Sequence, residues 1–151
     1  MKQLIICFVL LICFSNISLS QANKTGLGII VGEPTGITFK YWLDRTSAID
    51  AAAAWSFSSP GAFHIHADYL LHSFNLFTVS GGGRVPLYYG IGGRIKFVSD
   101  NTRLGIRVPV GLEYIFPDGK FDLFLEIVPL LDIAPKTDFT LNAALGARYF
   151  F

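Results

Sequence analysis

Eight stretches of alternating apolar and polar residues, charges confined to one face, and two aromatic bands on the other predict an all-β protein. The expected architecture is an eight-stranded antiparallel up-and-down transmembrane β-barrel, apolar face outward, with a charged lumen. The stretch from Arg103 to Phe116 states the pattern most clearly. Leu104, Ile106, Val108, Val110, Leu112, Tyr114 and Phe116 share one face; Arg103, Gly105, Arg107, Pro109, Gly111 and Glu113 share the other. About fourteen residues at roughly 3.3 Å each give a strand of some 45 Å, long for a soluble domain. A tilted strand crosses a bilayer with about 9–11 residues, so this one spans with turns to spare.

The chain of 151 residues has room for one domain. Hydrophobic residues make up 52% of it, yet no stretch beyond the leader nears the length of a spanning helix, which argues against a helical membrane protein. Lys2, the apolar run from Leu4 to Phe14 and the small residues from Ser15 to Ala22 read as a signal peptide. Residues 1–20 are taken as that leader, with cleavage after Ala22 fitting as well, and 21–151 as the barrel domain. Isoleucine precedes both Cys7 and Cys13, against lipid attachment, and both cysteines leave with the leader. The remaining chain has no thiol, which excludes disulfides, zinc–thiolate sites and a cysteine nucleophile. Net charge is +1 before Lys2 is lost and no basic tract occurs, so nucleic acid is not an expected partner.

Thr25 to Gly32 sets Leu27, Ile29 and Val31 against glycines and turns at Glu33-Pro-Thr-Gly36. Ile37, Phe39, Tyr41 and Leu43 then oppose Thr38, Lys40 and Trp42, and Asp44-Arg-Thr46 turns again. Ser47 to Phe57 places Ile49, Ala51, Ala53, Trp55 and Phe57 opposite Asp50, Ala52, Ala54 and Ser56; its alanine run leaves a short helix as a rival. Phe63, Ile65, Ala67, Tyr69 and Leu71 oppose His64, His66, Asp68 and His72. Ser73 to Gly83 is irregular, its triple glycine marking a loop. Val85 to Phe97 alternates against Arg84, Tyr88, Arg94 and Lys96, and the opening stretch follows. Pro117-Asp-Gly-Lys120 is a strong hairpin turn. Phe121 to Leu131 opposes Asp122, Glu126 and Asp132, and Phe139 to Phe151 carries Asn142, Gly146 and Arg148 behind it. An even count with short turns makes the strands antiparallel throughout.

The polar face carries Lys40, Arg84, Arg94, Lys96, Arg103, Arg107 and Arg148 against Asp50, Asp68, Glu113, Asp122, Glu126 and Asp132, a near balance of signs. On the apolar face Trp55, Phe57 and Phe97 fall near one rim; Tyr114, Phe116, Tyr149 and Phe151 fall near the other. Two aromatic girdles bounding an aliphatic belt match a bilayer's two interfaces. Pro86, Pro109 and Pro129 lie inside strands, where each removes a ladder donor; Pro109 sits mid-strand without an evident reason.

Pro86-Leu-Tyr-Tyr-Gly-Ile-Gly-Gly-Arg94, Arg107-Val-Pro-Val-Gly-Leu-Glu-Tyr-Ile-Phe-Pro117 and the run from Asp122 to Asp132 resemble a family of uncharacterised small bacterial outer-membrane barrels. That family is similar in architecture to the transmembrane domains of OmpA and OmpX. The closing Gly-Ala-Arg-Tyr-Phe-Phe151 resembles the signal that the outer-membrane assembly machinery reads on a last strand. The resemblance implies an outer-membrane location with both chain ends in the periplasm, lipid and that machinery as partners, and no catalytic residues. Unlike OmpX-like adhesion proteins, this chain has very short outer loops.

Eight strands enclose a lumen that side chains can fill. Lys40, Asp50, Asp68, Arg94, Arg107, Glu113, Glu126 and Arg148 are the expected lumen charge network, which seals the barrel against wide diffusion. The function expected is a monomeric structural envelope protein, not an enzyme and without a cofactor. The alternatives are a soluble periplasmic lipid-binding barrel or a narrow ion-conducting channel. His64, His66 and Asp68 share a face and form the one candidate set for a divalent metal; membership of the lumen hydrogen-bond network is the reading preferred over it.

Overall fold

The computed structural model describes residues 24–56 and 61–151. The leader, its cleavage site and Phe57 lie outside the described residues. The strands are β1 (Thr25–Gly32), β2 (Thr35–Trp42), β3 (Ser47–Ser56), β4 (Ala62–Ser73), β5 (Leu87–Val98), β6 (Asn101–Arg107), β7 (Val110–Ile115), β8 (Phe121–Ala134) and β9 (Asp138–Phe150). All pairings are antiparallel; chain neighbours pair from β1 to β6 and from β7 to β9, and β1 also pairs with β9, which closes the ring.

β6 and β7 are two halves of one stave, so the ring has eight positions. Both pair with β5 and with β8. Arg107 pairs with Leu130 and Val110 with Ile127, so three steps along one strand match three back along the other. The unbroken strand expected from Arg103 to Phe116 is therefore interrupted at Val108-Pro109 without losing register. The cause is local. Pro109 accepts a bond from the Gly90 amide at 3.0 Å, Pro129 one from Val108 at 3.0 Å, and Pro86 one from Glu113 at 3.1 Å. A proline nitrogen carries no hydrogen to return, so each of these rungs is single where a ladder would make it double. All three fall on the two seams that flank one stave.

The burial pattern is the reverse of a soluble protein. Lys40, Arg107 and Glu113 are fully buried, while Ile29 and Ile91 are each 60% exposed. In water that arrangement would leave a large apolar surface uncovered and is untenable; in lipid it is the required one, and closure leaves no bare sheet edge. A soluble barrel needs the opposite faces.

The alanine run of β3 is strand and not helix, hydrogen-bonded to β2 on one side and β4 on the other. Inward Ala52 and Ala54 sit opposite His66 and His64, so the small residues on β3 leave room for the imidazoles of β4. Glycines do the same elsewhere: a Cβ at Gly111 would meet the Tyr88 ring, and one at Gly146 the Phe124 ring. Interior volume is shared between neighbouring strands, large against small.

The aromatic bands are contact chains. Trp55, Phe63 and Phe97 follow one another at 5.5 and 6.4 Å at one rim. Tyr114, Phe116, Phe121 and Tyr149 follow at 4.9, 6.4 and 5.0 Å at the other, where Phe151 is also exposed. The second rim is the end at which Lys24 and Phe151 lie, and it also carries the long β4–β5 connection.

Candidate functional site

Inward positions on facing strands bring charged side chains within reach across a lumen too narrow for water to screen them. Lys40 on β2 donates to Glu113 on β7 at 2.5 Å, and these staves stand opposite one another in the ring. Lys40 also lies 2.9 Å from the His72 ring. Arg148 on β9 is the hub. Its guanidinium reaches Asp50 at 3.1 Å, Glu113 at 3.1 Å and Asp122 at 3.0 Å, and lies 4.1 Å over the Phe124 ring. One planar cation thus ties β9 to β3, β7 and β8, which the five-donor fork of arginine allows and a lysine would not. Thr38 adds a bond to Asp50 at 3.2 Å.

A second layer lies toward the far rim. Arg107 donates to Asp68 at 3.0 Å and comes within 3.6 Å of Glu126, which also accepts from the Tyr88 hydroxyl at 3.1 Å. Beyond it Arg94 holds Asp132 through two bonds of 2.9 Å. All eight charged residues expected in the network are buried in these layers, together with Lys96, Asp122 and Asp132. Two others of the polar period are not inside. Arg84 precedes β5 and is exposed at the mouth of the lumen, where it forms the last rung with Ile115 of β7. Arg103 is half-exposed at the far rim, 3.8 Å from Asp132.

His64 and His66 meet at 3.2 Å. Asp68 does not complete a metal site with them, since its carboxylate is committed to Arg107 and stands 3.9 Å from His66. Among the described residues no trio of histidine, cysteine, aspartate or glutamate is disposed to hold a metal.

The plug leaves a vestibule at each end. A cavity of about 620 Å³ opens at the end with Lys24, with Trp42, Ile115 and Phe150 among its walls. Another of about 430 Å³ lies at the far rim, between the β5–β6 and β8–β9 turns. Arg45, Phe74 and Arg84 of the first vestibule were not singled out as a group by sequence reasoning. Arg45 and Phe74 sit in two separate connections, where no periodicity says which way a side chain points, while Arg84 lies on the polar period and reaches the mouth through its bridge to Ile115. At its edge the Asp44 carboxylate accepts from Ser47 Oγ, Thr46 Oγ1 and the amides of Thr46 and Ser47. Those bonds, the Ser47 hydroxyl first, hold its pKa well below the usual carboxylate range.

No protein-family model and no curated protein sequence matches the chain. Solved structures do match. The N-terminal β-barrel domain of Pseudomonas aeruginosa OprF is 15% identical, with 87% of this chain and 100% of that one covered and a TM-score of 0.60. A barrel from the de novo design of transmembrane β-barrels is 16% identical over 87% of this chain and 98% of that one, with a TM-score of 0.56. Neisserial surface protein A is 15% identical over 84% and 93%, with a TM-score of 0.50. At such identities the likeness is one of fold, and the fold is that of the outer-membrane β-barrels.

Proposed function

We propose that this chain is a small, monomeric, integral outer-membrane barrel with a side-chain-filled lumen, serving envelope structure and neither catalysis nor wide diffusion. In this reading residues 1–20 are a cleaved leader, and the assembly machinery takes up the β9 strand through Phe151. The observation that carries the reading is the fully buried Lys40–Glu113–Arg148 cluster, which spans the lumen between opposed staves. Desolvated, multiply bonded charges of this kind resist separation, because freeing one leaves its partner unpaired.

The test is planar-bilayer recording of the leader-free chain refolded from urea. A sealed barrel inserts, migrates on gels with the heat-dependent shift of a folded barrel, and gives no current steps. Reproducible unitary steps from the same preparation would replace this reading with that of a narrow ion-conducting channel.

A further inference from the structure

We infer that the vestibule at the Lys24 end is a binding site for a small organic anion, a carboxylate or phosphate head on an aryl or short acyl body. Its volume of about 620 Å³ lies within the range of small-molecule sites. Its walls are of two kinds. Trp42, Phe74 and Phe150 supply an aromatic floor, and Lys24, Arg45 and Arg84 surround it with positive charge.

The charge distribution singles out this end. Deeper in the lumen Lys40, Arg94, Arg107 and Arg148 each have a carboxylate within 4.0 Å. No such ion pair is recorded for Lys24, Arg45 or Arg84 among the described residues. The acid on the same wall, Asp44, is engaged by its own turn, through the four bonds from Thr46 and Ser47. The vestibule therefore keeps an excess of positive charge in a concave space with apolar walls, which favours an anion.

The floor is also fixed in advance. The Lys40 ammonium and the His72 ring, themselves 2.9 Å apart, each lie 4.4 Å from the Trp42 ring, and the Arg84 guanidinium lies 5.2 Å from the Phe74 ring. A planar guanidinium already positioned against an aromatic wall suits a head group that accepts two parallel bonds while its body lies on that wall. Ordering costs on binding are correspondingly small.

The site is tested on the leader-free barrel in nanodiscs of zwitterionic phosphatidylcholine. Trp55→Phe leaves Trp42 as the one indole, and its N–H resonance is followed by NMR. The probes are 2-naphthoate, 1-naphthyl phosphate and neutral 2-naphthamide. A saturable shift with at least one anion is expected, and the tighter of the two assigns the head group. The amide should give no saturable shift. Arg84→Ala combined with Arg45→Ala should weaken the anion at least tenfold, and Arg103→Ala at the far rim should leave it unchanged. Should that pair of changes prevent refolding, Arg45→Gln alone, in an exposed turn, is expected to weaken the anion by a smaller factor. Equal shifts from the amide, unchanged affinity in the refolded arginine variants, or no saturable shift from either anion would overturn the inference. Current steps in the bilayer recording would remove the sealed-barrel reading and leave this one standing.

Discussion

The middle of the lumen and the vestibule at the Lys24 end use the same residue types to opposite effect. In the middle, Lys40 and Arg148 share Glu113, and Asp50 and Asp122 complete the set, all of them buried. In the vestibule, Lys24, Arg45 and Arg84 stand around open space with no such partners among the described residues. The difference is one of support. Strands hold inward side chains at fixed heights across a narrow ring, so opposite charges meet; turns and connections hold theirs where no facing strand exists. A charge inside the ring becomes part of the wall's strength, and one beyond it stays available.

The largest effect expected from that contrast is at Glu113. Glu113→Ala leaves Lys40 and Arg148 without a shared partner and should lower stability by about 3–5 kcal/mol in urea unfolding from lipid vesicles. Arg84→Ala in the same assay should change it by less than about 0.5 kcal/mol. Equal losses would mean that position in the ring decides nothing. Next in size, Val108→Arg puts a charge on the lipid face near mid-strand and should cost about 2–4 kcal/mol. A harmless Val108→Arg would place the bilayer elsewhere.

A smaller effect separates two parts of the wall. The proline-flanked stave should be looser than β8 and β9, whose pairing runs unbroken from Phe121–Tyr149 to Asp132–Asp138. One bond lost from a rung is worth about 1 kcal/mol, so the amides of Gly90 and Val108 should exchange hydrogen roughly five- to tenfold faster than those of Leu145 and Ala147. Uniform protection would show that the single rungs are compensated. The smallest effect is at Asp44. Its folded pKa lies below its unfolded value of about 3.9, so its stabilising contribution is complete above that pH and fades as pH falls through the folded value. A carboxyl ¹³C titration should find its midpoint below the ordinary range, and Asp44→Asn should remove that acid-side dependence. A midpoint at the ordinary value would mean the turn does not bind the carboxylate in solution.

Which face of each strand points inward could be read from the sequence, because a period of two leaves only two choices and charges mark one of them. His64, His66, Glu113 and Arg148 show this: alternation alone says that they share the interior. It does not say who meets whom. Lys40 joins Glu113, 73 positions away, because of the stagger between strands around the closed ring, a property no single strand carries. The same limit explains Asp68, which shares a face with two histidines but is held by Arg107 from another stave. Pro109 was visible as an anomaly; that its missing donor joins those of Pro86 and Pro129 on the seams of one stave requires the register. Arg84 keeps the polar period of β5, bridged to Ile115, but that rung is the last before the lumen opens, so its side chain lines the vestibule instead of the buried network.

Three described turns at the far rim, Glu33-Pro34, Ser99-Asp100 and Pro135-Lys136-Thr137, are only as long as is needed to reverse the chain. Nothing described there stands clear of the bilayer as a finger or a lid. At these three turns an approaching molecule finds no projecting loop to grip and must reach the barrel's own rim.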